Sequence, residues 1–177
     1  MIIEIREKGT KTFYDEIVCV ASKYRRYVKN PDAGFSNTFL INIIMMAVVS
    51  CIFLLELYIG ITNGFDGITI AAGVICVVTL YFWGLYHRKL KKVVKLYEAD
   101  NRLSTLILDE KGVELNKDDA QILRISWENV AVLKVFKEST FFFSKDEPAI
   151  VIAINNVYKD QVLGYVKENN IPITIAE

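Results

Sequence analysis

The chain has 177 residues, of which 53% are hydrophobic and 24% are charged. Its 21 Lys and Arg residues balance its 21 Asp and Glu residues, so net charge does not indicate a nucleic-acid-binding protein. The length fits one ordinary domain, or a small domain joined to a membrane anchor. Because the hydrophobic fraction is high for a soluble protein with this many charges, we expect the apolar residues to be concentrated in particular segments.

Residues 1–34 are expected to form a strand followed by an amphipathic helix. The stretch IIEIR at residues 2–6 is short and apolar, which indicates a strand. Residues 12–30 then repeat apolar side chains at spacings of three and four, as on one face of a helix. Thr12 is a suitable N-cap, and Pro31 ends the pattern. The sequence therefore predicts one continuous helix before the first long apolar run.

Residues 35–95 contain two long apolar runs, at 39–61 and 68–86. The first has one acidic residue and no basic one, and the second has neither. At 1.5 Å of rise per residue, each run is long enough for a hydrocarbon core of about 30 Å. A buried helical hairpin in a soluble protein is the alternative, but the remaining residues are too few to cover two helices on every face. We therefore predict a two-helix transmembrane hairpin.

Basic residues flank the predicted hairpin on one side. The turn at residues 62–67 has no Lys or Arg, whereas Lys and Arg cluster before the first run and after the second. Positive charge in short flanks marks the cytoplasmic side of a membrane. We therefore predict a multi-pass protein of the cytoplasmic membrane with both termini in the cytoplasm. The residues to which we assign this anchoring and topology role are Arg25, Arg26, Arg88, Lys89, Lys91 and Lys92.

Two polar residues within the first run are candidates for an intramembrane site. A carboxyl group inside a span is costly, so Glu56 marks an interfacial position, a helix–helix contact or a transport site. Asn42 is suited to a hydrogen bond between the helices. His87 is the only histidine, and the three cysteines have no CxxC spacing, so we expect no metal site, no cofactor and no catalytic residue.

Residues 96–177 have the pattern of a small antiparallel β domain. Short alternating segments are separated by turn residues, and a helical pattern near residues 158–170 follows them. They predict a barrel or curved sheet closed by a C-terminal helix, which makes the chain an α+β membrane protein. In TFFFS, at residues 140–144, three consecutive aromatics on a strand require at least one to face away from the others. Phe142 is therefore a candidate for contact with a partner or a lipid.

The order of these parts resembles the YcxB-like family of bacterial membrane proteins, and residues 122–144 carry the sequence-level similarity. There Ile125, Trp127 and Val130 match an (I/V)-x-W-x-x-(I/V) signature, and an aromatic hairpin follows. The resemblance implies a cytoplasmic domain related to the pleckstrin-homology (PH) fold, and it implies no catalytic activity. The alternating pattern places the signature residues in the core rather than on a recognition surface.

These patterns favour a non-enzymatic membrane protein that presents a PH-like domain at the inner membrane surface. The expected partners are membrane lipids and a further protein, without nucleic acid, and small residues in the apolar runs leave homo-oligomers open. An immunity or regulatory protein against a cognate toxin is the alternative, because a small two-span architecture without a catalytic site fits it equally well.

Overall fold

The computed structural model describes residues 1–5, 9–99, 104–117, 120–146 and 150–176. It is an α+β structure with two compact units, one formed by Met1–Ser36 together with Val94–Glu177 and the other by Asn37–Val93. The elements in chain order are β1 (Ile2–Ile5), α1 (Lys11–Ala21), α2 (Tyr24–Lys29), α3 (Thr38–Asn63), α4 (Gly67–Ala99), β2 (Ser104–Asp109), β3 (Gly112–Lys117), β4 (Ala120–Ser126), β5 (Val130–Val135), β6 (Ser139–Ser144), β7 (Val151–Asn155), α5 (Lys159–Glu168) and β8 (Ile175–Ala176).

Two long apolar helices, α3 and α4, contain the two apolar runs found in the sequence. Both are long and apolar enough to cross a membrane, and only 11% of the most apolar window of each is buried inside the protein. A buried core helix of a soluble protein would hide most of such a window. α4 continues through the basic residues to Ala99, so the cluster that follows the second run is helical.

Two residues with distinct roles build the turn between α3 and α4. Gly64, at φ 92° and ψ 151°, adopts a positive-φ conformation that glycine tolerates, and it ends α3. Asp66 then caps α4, because its carboxylate accepts a hydrogen bond from the Thr69 backbone N–H at 2.7 Å. The absence of a basic side chain from this turn leaves the Asp66 charge without a cationic neighbour in sequence.

The N-terminal helical region begins earlier than the sequence predicts. The Oγ1 atom of Thr10 accepts a hydrogen bond from the Phe13 N–H at 3.1 Å, so Thr10 is the N-cap of α1 and Thr12 is not. Thr10 has the extended backbone typical of an N-cap, which leaves Lys11 as the first helical residue.

The same region contains two helices rather than the single helix expected from its periodicity. The Ser22 hydroxyl donates to the Cys19 carbonyl at 2.8 Å, and Lys23 leaves the helical region with φ −129° and ψ 23°. Such side-chain bonds compete with the backbone ladder of a helix. Val20 in α1 and Tyr27 in α2 are both fully buried in one core cluster, so the two short helices present their apolar sides to the same core.

The strands form two four-stranded sheets instead of the single barrel or curved sheet predicted. The first sheet has the order β1-β2-β3-β4, and the second has the order β7-β6-β5-β8. A 3₁₀ turn at Trp127–Asn129 separates β4 from β5, so the meander leaves one sheet and begins the other there. The pairings are antiparallel except for the two-residue β8, which runs parallel to β5. The N-terminal β1 pairs with β2 across the inserted hairpin, Ile2 opposite Ile107.

Two core clusters cover both faces of the second sheet. One cluster joins the first sheet, the inner face of the second and α5, with fully buried Leu106, Phe142 and Val162 as representatives. The other joins the opposite face of the second sheet to α1 and α2. Consequently all six residues of β6, Ser139–Ser144, are buried.

Candidate functional site

The basic residues assigned to anchoring are exposed in both places where they occur. In α2, Arg25 and Arg26 are exposed, whereas Tyr27, the next residue, is buried. The short helix therefore turns its charges outward. In α4 the four assigned residues, Arg88, Lys89, Lys91 and Lys92, are exposed, and so is Lys95. Exposed guanidinium and ammonium groups are suited to anionic lipid headgroups, each contributing on the order of 1 kcal/mol near a charged surface.

Glu56 is half-buried beside an open apolar groove between α3 and α4, which we call the hairpin groove. The groove has a volume of about 370 Å³, and Phe53, Phe65 and Gly73 are among the residues that line it. Of its described lining residues, Glu56 and Thr69 are the polar ones. A carboxyl group beside an apolar surface of this size distinguishes the hairpin from a plain pair of anchor helices.

Asn42 lies at the opposite end of α3 and is buried, together with Thr38 one turn earlier. The hydrogen bond between helices that the sequence predicts for Asn42 is not made by its amide nitrogen. Within the described residues, Asn42 Nδ2, Thr38 Oγ1 and His87 Nδ1 have no hydrogen-bond partner. The His87 ring instead packs edge-on against Phe39, with ring centroids 5.8 Å apart.

Phe142 is fully buried, which corrects the expectation that it contacts a partner or lipid from the surface. On β6, Phe142 points into the cluster shared with the first sheet, while Phe141 and Phe143 point into the cluster shared with α1 and α2. The physical reason is that both faces of β6 are covered. The first sheet and α5 enclose Phe142, and α1 and α2 cover Phe141 and Phe143 on the opposite face, which residues 96–177 alone would leave open.

The three residues of the family signature lie in or against the same core. Ile125 and Val130 are buried, and Trp127 packs against the cluster. The Trp127 indole Nε1–H donates to the Asp109 carbonyl at 2.8 Å, and its ring lies 6.3 Å from that of Phe142. These contacts fix the turn at which the chain passes between the two sheets.

Lys134 on β5 is a buried cation that was not predicted from the sequence. Its ammonium group donates to the Pro31 carbonyl and lies 5.5 Å from the centre of the Phe136 ring. Burial lowers the pKa of Lys134, and the nearby Asp32 carboxylate partly opposes this shift. A sequence signal for this burial exists, because in NVAVLKVFK the alternation of a strand puts Lys134 on the same face as the apolar Val132 and Phe136.

The linker at residues 30–36 is held against α2 by further hydrogen bonds. The Ser36 N–H donates to the Tyr27 hydroxyl at 3.2 Å, and the Lys23 ammonium donates to the Ser36 hydroxyl at 2.8 Å. With the bond from Lys134 to Pro31, these contacts fix the chain at several points immediately before α3 begins. The N-terminal region is therefore an integral part of the β-rich unit.

Glu16 on α1 makes a second unpredicted polar contact with the second sheet. Its carboxylate accepts from the Ser139 hydroxyl at 2.5 Å and from the Glu138 N–H at 3.1 Å. Burial raises the pKa of Glu16, although the hydrogen bonds from Ser139 and Glu138 act in the opposite direction. Asn156 holds the same turn from the other side, donating to the Phe136 carbonyl at 2.7 Å.

Among the described parts of the chain, the outer face of the first sheet is the one sheet face that no core cluster covers. One row of paired residues crosses it: Ile2, Ile107, Glu114 and Arg124. Ile2 is 70% exposed. Arg124 forms ion pairs with Glu114 at 3.1 Å and with Asp109 at 3.3 Å. This outer face combines exposed aliphatic groups with charges of both signs.

The described residues contain no group of three or more His, Cys, Asp or Glu side chains that could hold a metal ion. A scan against protein-family models gives no match, and neither the curated proteins nor the solved structures contain a match to this chain. The resemblance to the YcxB-like family therefore stays a prediction from the residues that carry it.

Proposed function

We propose that the chain is a non-enzymatic integral membrane protein whose hairpin anchors a β-rich binding module at the cytoplasmic surface of the membrane. In this proposal α3 and α4 cross the bilayer, the turn at residues 64–66 lies outside, and both termini lie in the cytoplasm. The module, formed by Met1–Ser36 and Val94–Glu177, binds a protein partner through the outer face of the first sheet.

The observation that carries the proposal is the pairing of β1 with β2 on either side of the hairpin. Because Ile3 pairs with Leu106 in one sheet, the two flanks must lie in one compartment. A chain that enters a membrane between them must cross an even number of times, which two helices satisfy. Exposed basic residues on both flanks favour the cytoplasm as that compartment.

The exposure of the hairpin supports its insertion in lipid. Leu54 is 64% exposed and Ile75 is 66% exposed, and they are typical of many large apolar side chains on α3 and α4. In water this surface would far exceed the few hundred Å² of apolar patch that a soluble monomer usually carries. In a bilayer it faces hydrocarbon, so no further protein is needed to cover it.

The outer face of the first sheet supports a protein partner rather than a lipid headgroup. Its central row combines Ile2 and Ile107 with the ion-paired Glu114 and Arg124, so it is not the basic surface that anionic lipids attract. Aliphatic groups beside a charged margin are typical of protein interfaces. Anchoring at the membrane raises the effective concentration of such a contact.

Single-cysteine labelling tests the topology. The native Cys19, Cys51 and Cys76 are first replaced, and cysteine is then placed at Asn63 or at Asp146, both of which are exposed. Asn63 is preferable to its neighbour Gly64, whose left-handed backbone disfavours a side chain. In intact cells a membrane-impermeant maleimide should label position 63 and spare position 146. Labelling of position 146 alone, or recovery of the chain in the soluble fraction, would overturn the proposal.

Site-specific photo-crosslinking in the native membrane tests the binding face. A probe at the half-buried Ile107 should give a discrete product that a probe at Val157, an exposed apolar position outside the first sheet, does not give. Arg124→Glu should abolish that product because it reverses a charge within the proposed interface. Equal products from both positions, or persistence in Arg124→Glu, would contradict a partner at this face.

A further inference from the structure

The hairpin groove lies near the turn end of the hairpin, where carboxylates are the only charges. Within Asn37–Val93, Glu56 and Asp66 are the acidic residues, and no Lys or Arg occurs before Arg88. The Asp66 pKa is lowered by hydrogen bonds, first from the Thr69 backbone and then from the Thr69 side chain, so this group stays ionised. The groove therefore combines an apolar surface with uncompensated negative charge.

The groove has room for part of a lipid molecule. Its volume of about 370 Å³ lies within the range of about 300 to 1,000 Å³ for small-molecule sites. Phe65 folds back over Gly60, where a side chain would meet the ring at 2.2 Å, and so forms the wall nearest the turn. Val74 and Val77 are exposed along the length of the groove. In a bilayer, such a surface is filled by acyl chains.

Glu56 lies at a depth that a lipid headgroup can approach. α3 has 26 residues, which at 1.5 Å of rise per residue span about 39 Å, whereas the hydrocarbon core is about 30 Å thick. Glu56 is seven residues before the end of α3 at Asn63, or about 10 Å along the axis. The extra length of the helix brings this carboxyl group close to the outer boundary of the hydrocarbon.

We propose that the hairpin groove binds a phospholipid with a primary ammonium headgroup, its acyl chain along Val74 and Val77 and its ammonium group on the Glu56 carboxylate. The inference rests on the proposed membrane insertion and assigns a ligand to the anchor itself. A primary ammonium offers N–H donors and a positive charge to Glu56. An anionic headgroup would be repelled by Glu56 and Asp66, and a quaternary ammonium has no N–H to donate.

A second copy of the chain is a less suitable occupant of the groove. The stretch 37–86 contains no basic side chain that another copy would bring to this depth. A twofold arrangement that buries the groove would bring a second Glu56 towards the first, which costs energy unless a proton is shared. Charge complementarity thus favours the lipid.

Native mass spectrometry of the full chain tests the proposal. The protein is reconstituted with equal amounts of phosphatidylethanolamine, phosphatidylglycerol and phosphatidylcholine that share the same acyl chains, and the lipids retained after release are counted. We expect phosphatidylethanolamine to be retained about tenfold over the other two, as a charge-assisted hydrogen bond would give. Equal retention of the three lipids would overturn the proposal.

Two variants separate the headgroup contact from the groove. Glu56→Gln should keep the total number of bound lipids but abolish the preference for phosphatidylethanolamine. Gly73→Leu should reduce retention of all three lipids, because its side chain enters the groove. A preference that survives in Glu56→Gln, or a dimer whose crosslinked interface contains Val77, would contradict the proposal.

Failure of the lipid site and failure of the anchor give different results. A chain that resists extraction from membranes by carbonate, yet retains the three lipids equally, refutes the lipid site and leaves the membrane anchor standing. A chain recovered from the soluble fraction refutes both.

Discussion

The strand β6 and the helix α3 both contain consecutive large apolar side chains but have opposite surroundings. All six residues of β6 are buried, with Phe141, Phe142 and Phe143 fully hidden between two core clusters. In α3, by contrast, Leu54 is 64% exposed, and many other large apolar side chains are exposed as well. Apolar composition therefore does not by itself tell whether a segment is buried inside the protein. Burial depends on whether other elements cover the segment, and the hairpin lacks such cover.

The largest expected effect is the loss of a buried aromatic side chain. Phe142→Ala should lower the free energy of unfolding of the β-rich unit by about 3 to 5 kcal/mol, because it leaves a cavity between the two sheets. Leu54→Ala is the matched change in the hairpin and should have almost no effect in detergent. Trp127 fluorescence in a Trp83→Phe background reports unfolding next to the mutated site. Similar losses in both variants would remove the contrast between the two regions.

A smaller effect is expected at the turn between β2 and β3. A side chain at Gly112 would lie 2.1 Å from the Ile125 carbonyl oxygen, which belongs to the neighbouring strand and cannot move aside freely. Gly112→Ala should therefore cost about 3 kcal/mol, at the upper end for overpacking. Gly34→Ala is the control, since nothing lies within 4 Å of a side chain at that position. Equal melting temperatures of the two variants would contradict this reading of the turn.

The two acidic residues in apolar surroundings, Glu16 and Glu56, should respond differently to truncation. Glu16→Ala leaves the Glu138 N–H and the Ser139 hydroxyl without their acceptor, which should cost about 2 kcal/mol. Glu56→Ala removes no hydrogen bond among the described residues and should leave stability in detergent nearly unchanged. Thermal unfolding followed by circular dichroism distinguishes them. A larger loss for Glu56→Ala would mean that the hairpin depends on this carboxyl group for its own packing.

The pH dependence of stability gives the smallest effect. Because burial raises the pKa of Glu16, the folded state holds this proton more tightly than the unfolded chain does. The contribution of Glu16 to the unfolding free energy should therefore fall as the pH rises from about 4.5, its ordinary value, through the raised value. Glu16→Gln lacks this slope, so the unfolding free energy of the wild type should fall relative to that of the variant over that window. A constant difference would show that the carboxylate is not desolvated.

The sequence predicted the structure well where the signal came from residues close together in the chain. The two apolar runs and the C-terminal helix were found because long apolar segments and helical spacing are local signals. The basic cluster after the second run continues the same helix, α4. Each of these features depends on residues close together in the chain.

The sequence was misleading where distant segments meet. Phe142 was expected at a surface because one face of its strand was expected to be open. Instead the first sheet and α5 cover the Phe142 face, and the N-terminal helices, more than a hundred residues away in the chain, cover the other. Lys134 and Glu16 resembled ordinary charged residues, and their partners, Pro31 and Ser139, lie about a hundred residues away or more. The break in the N-terminal helix has a local cause, the Ser22 hydroxyl, but serine also occurs in uninterrupted helices.

The pairing of β1 with β2 also constrains the order of events during synthesis. At about 5 to 20 residues per second, the ribosome needs roughly 5 to 20 seconds between the two strands. Throughout that time the nascent β1 has no edge to join, while α3 and α4 are being synthesised. The β-rich unit can thus mature only after both helices have been made, and a delay in translation downstream of them would prolong the interval in which an apolar strand is open to misassembly.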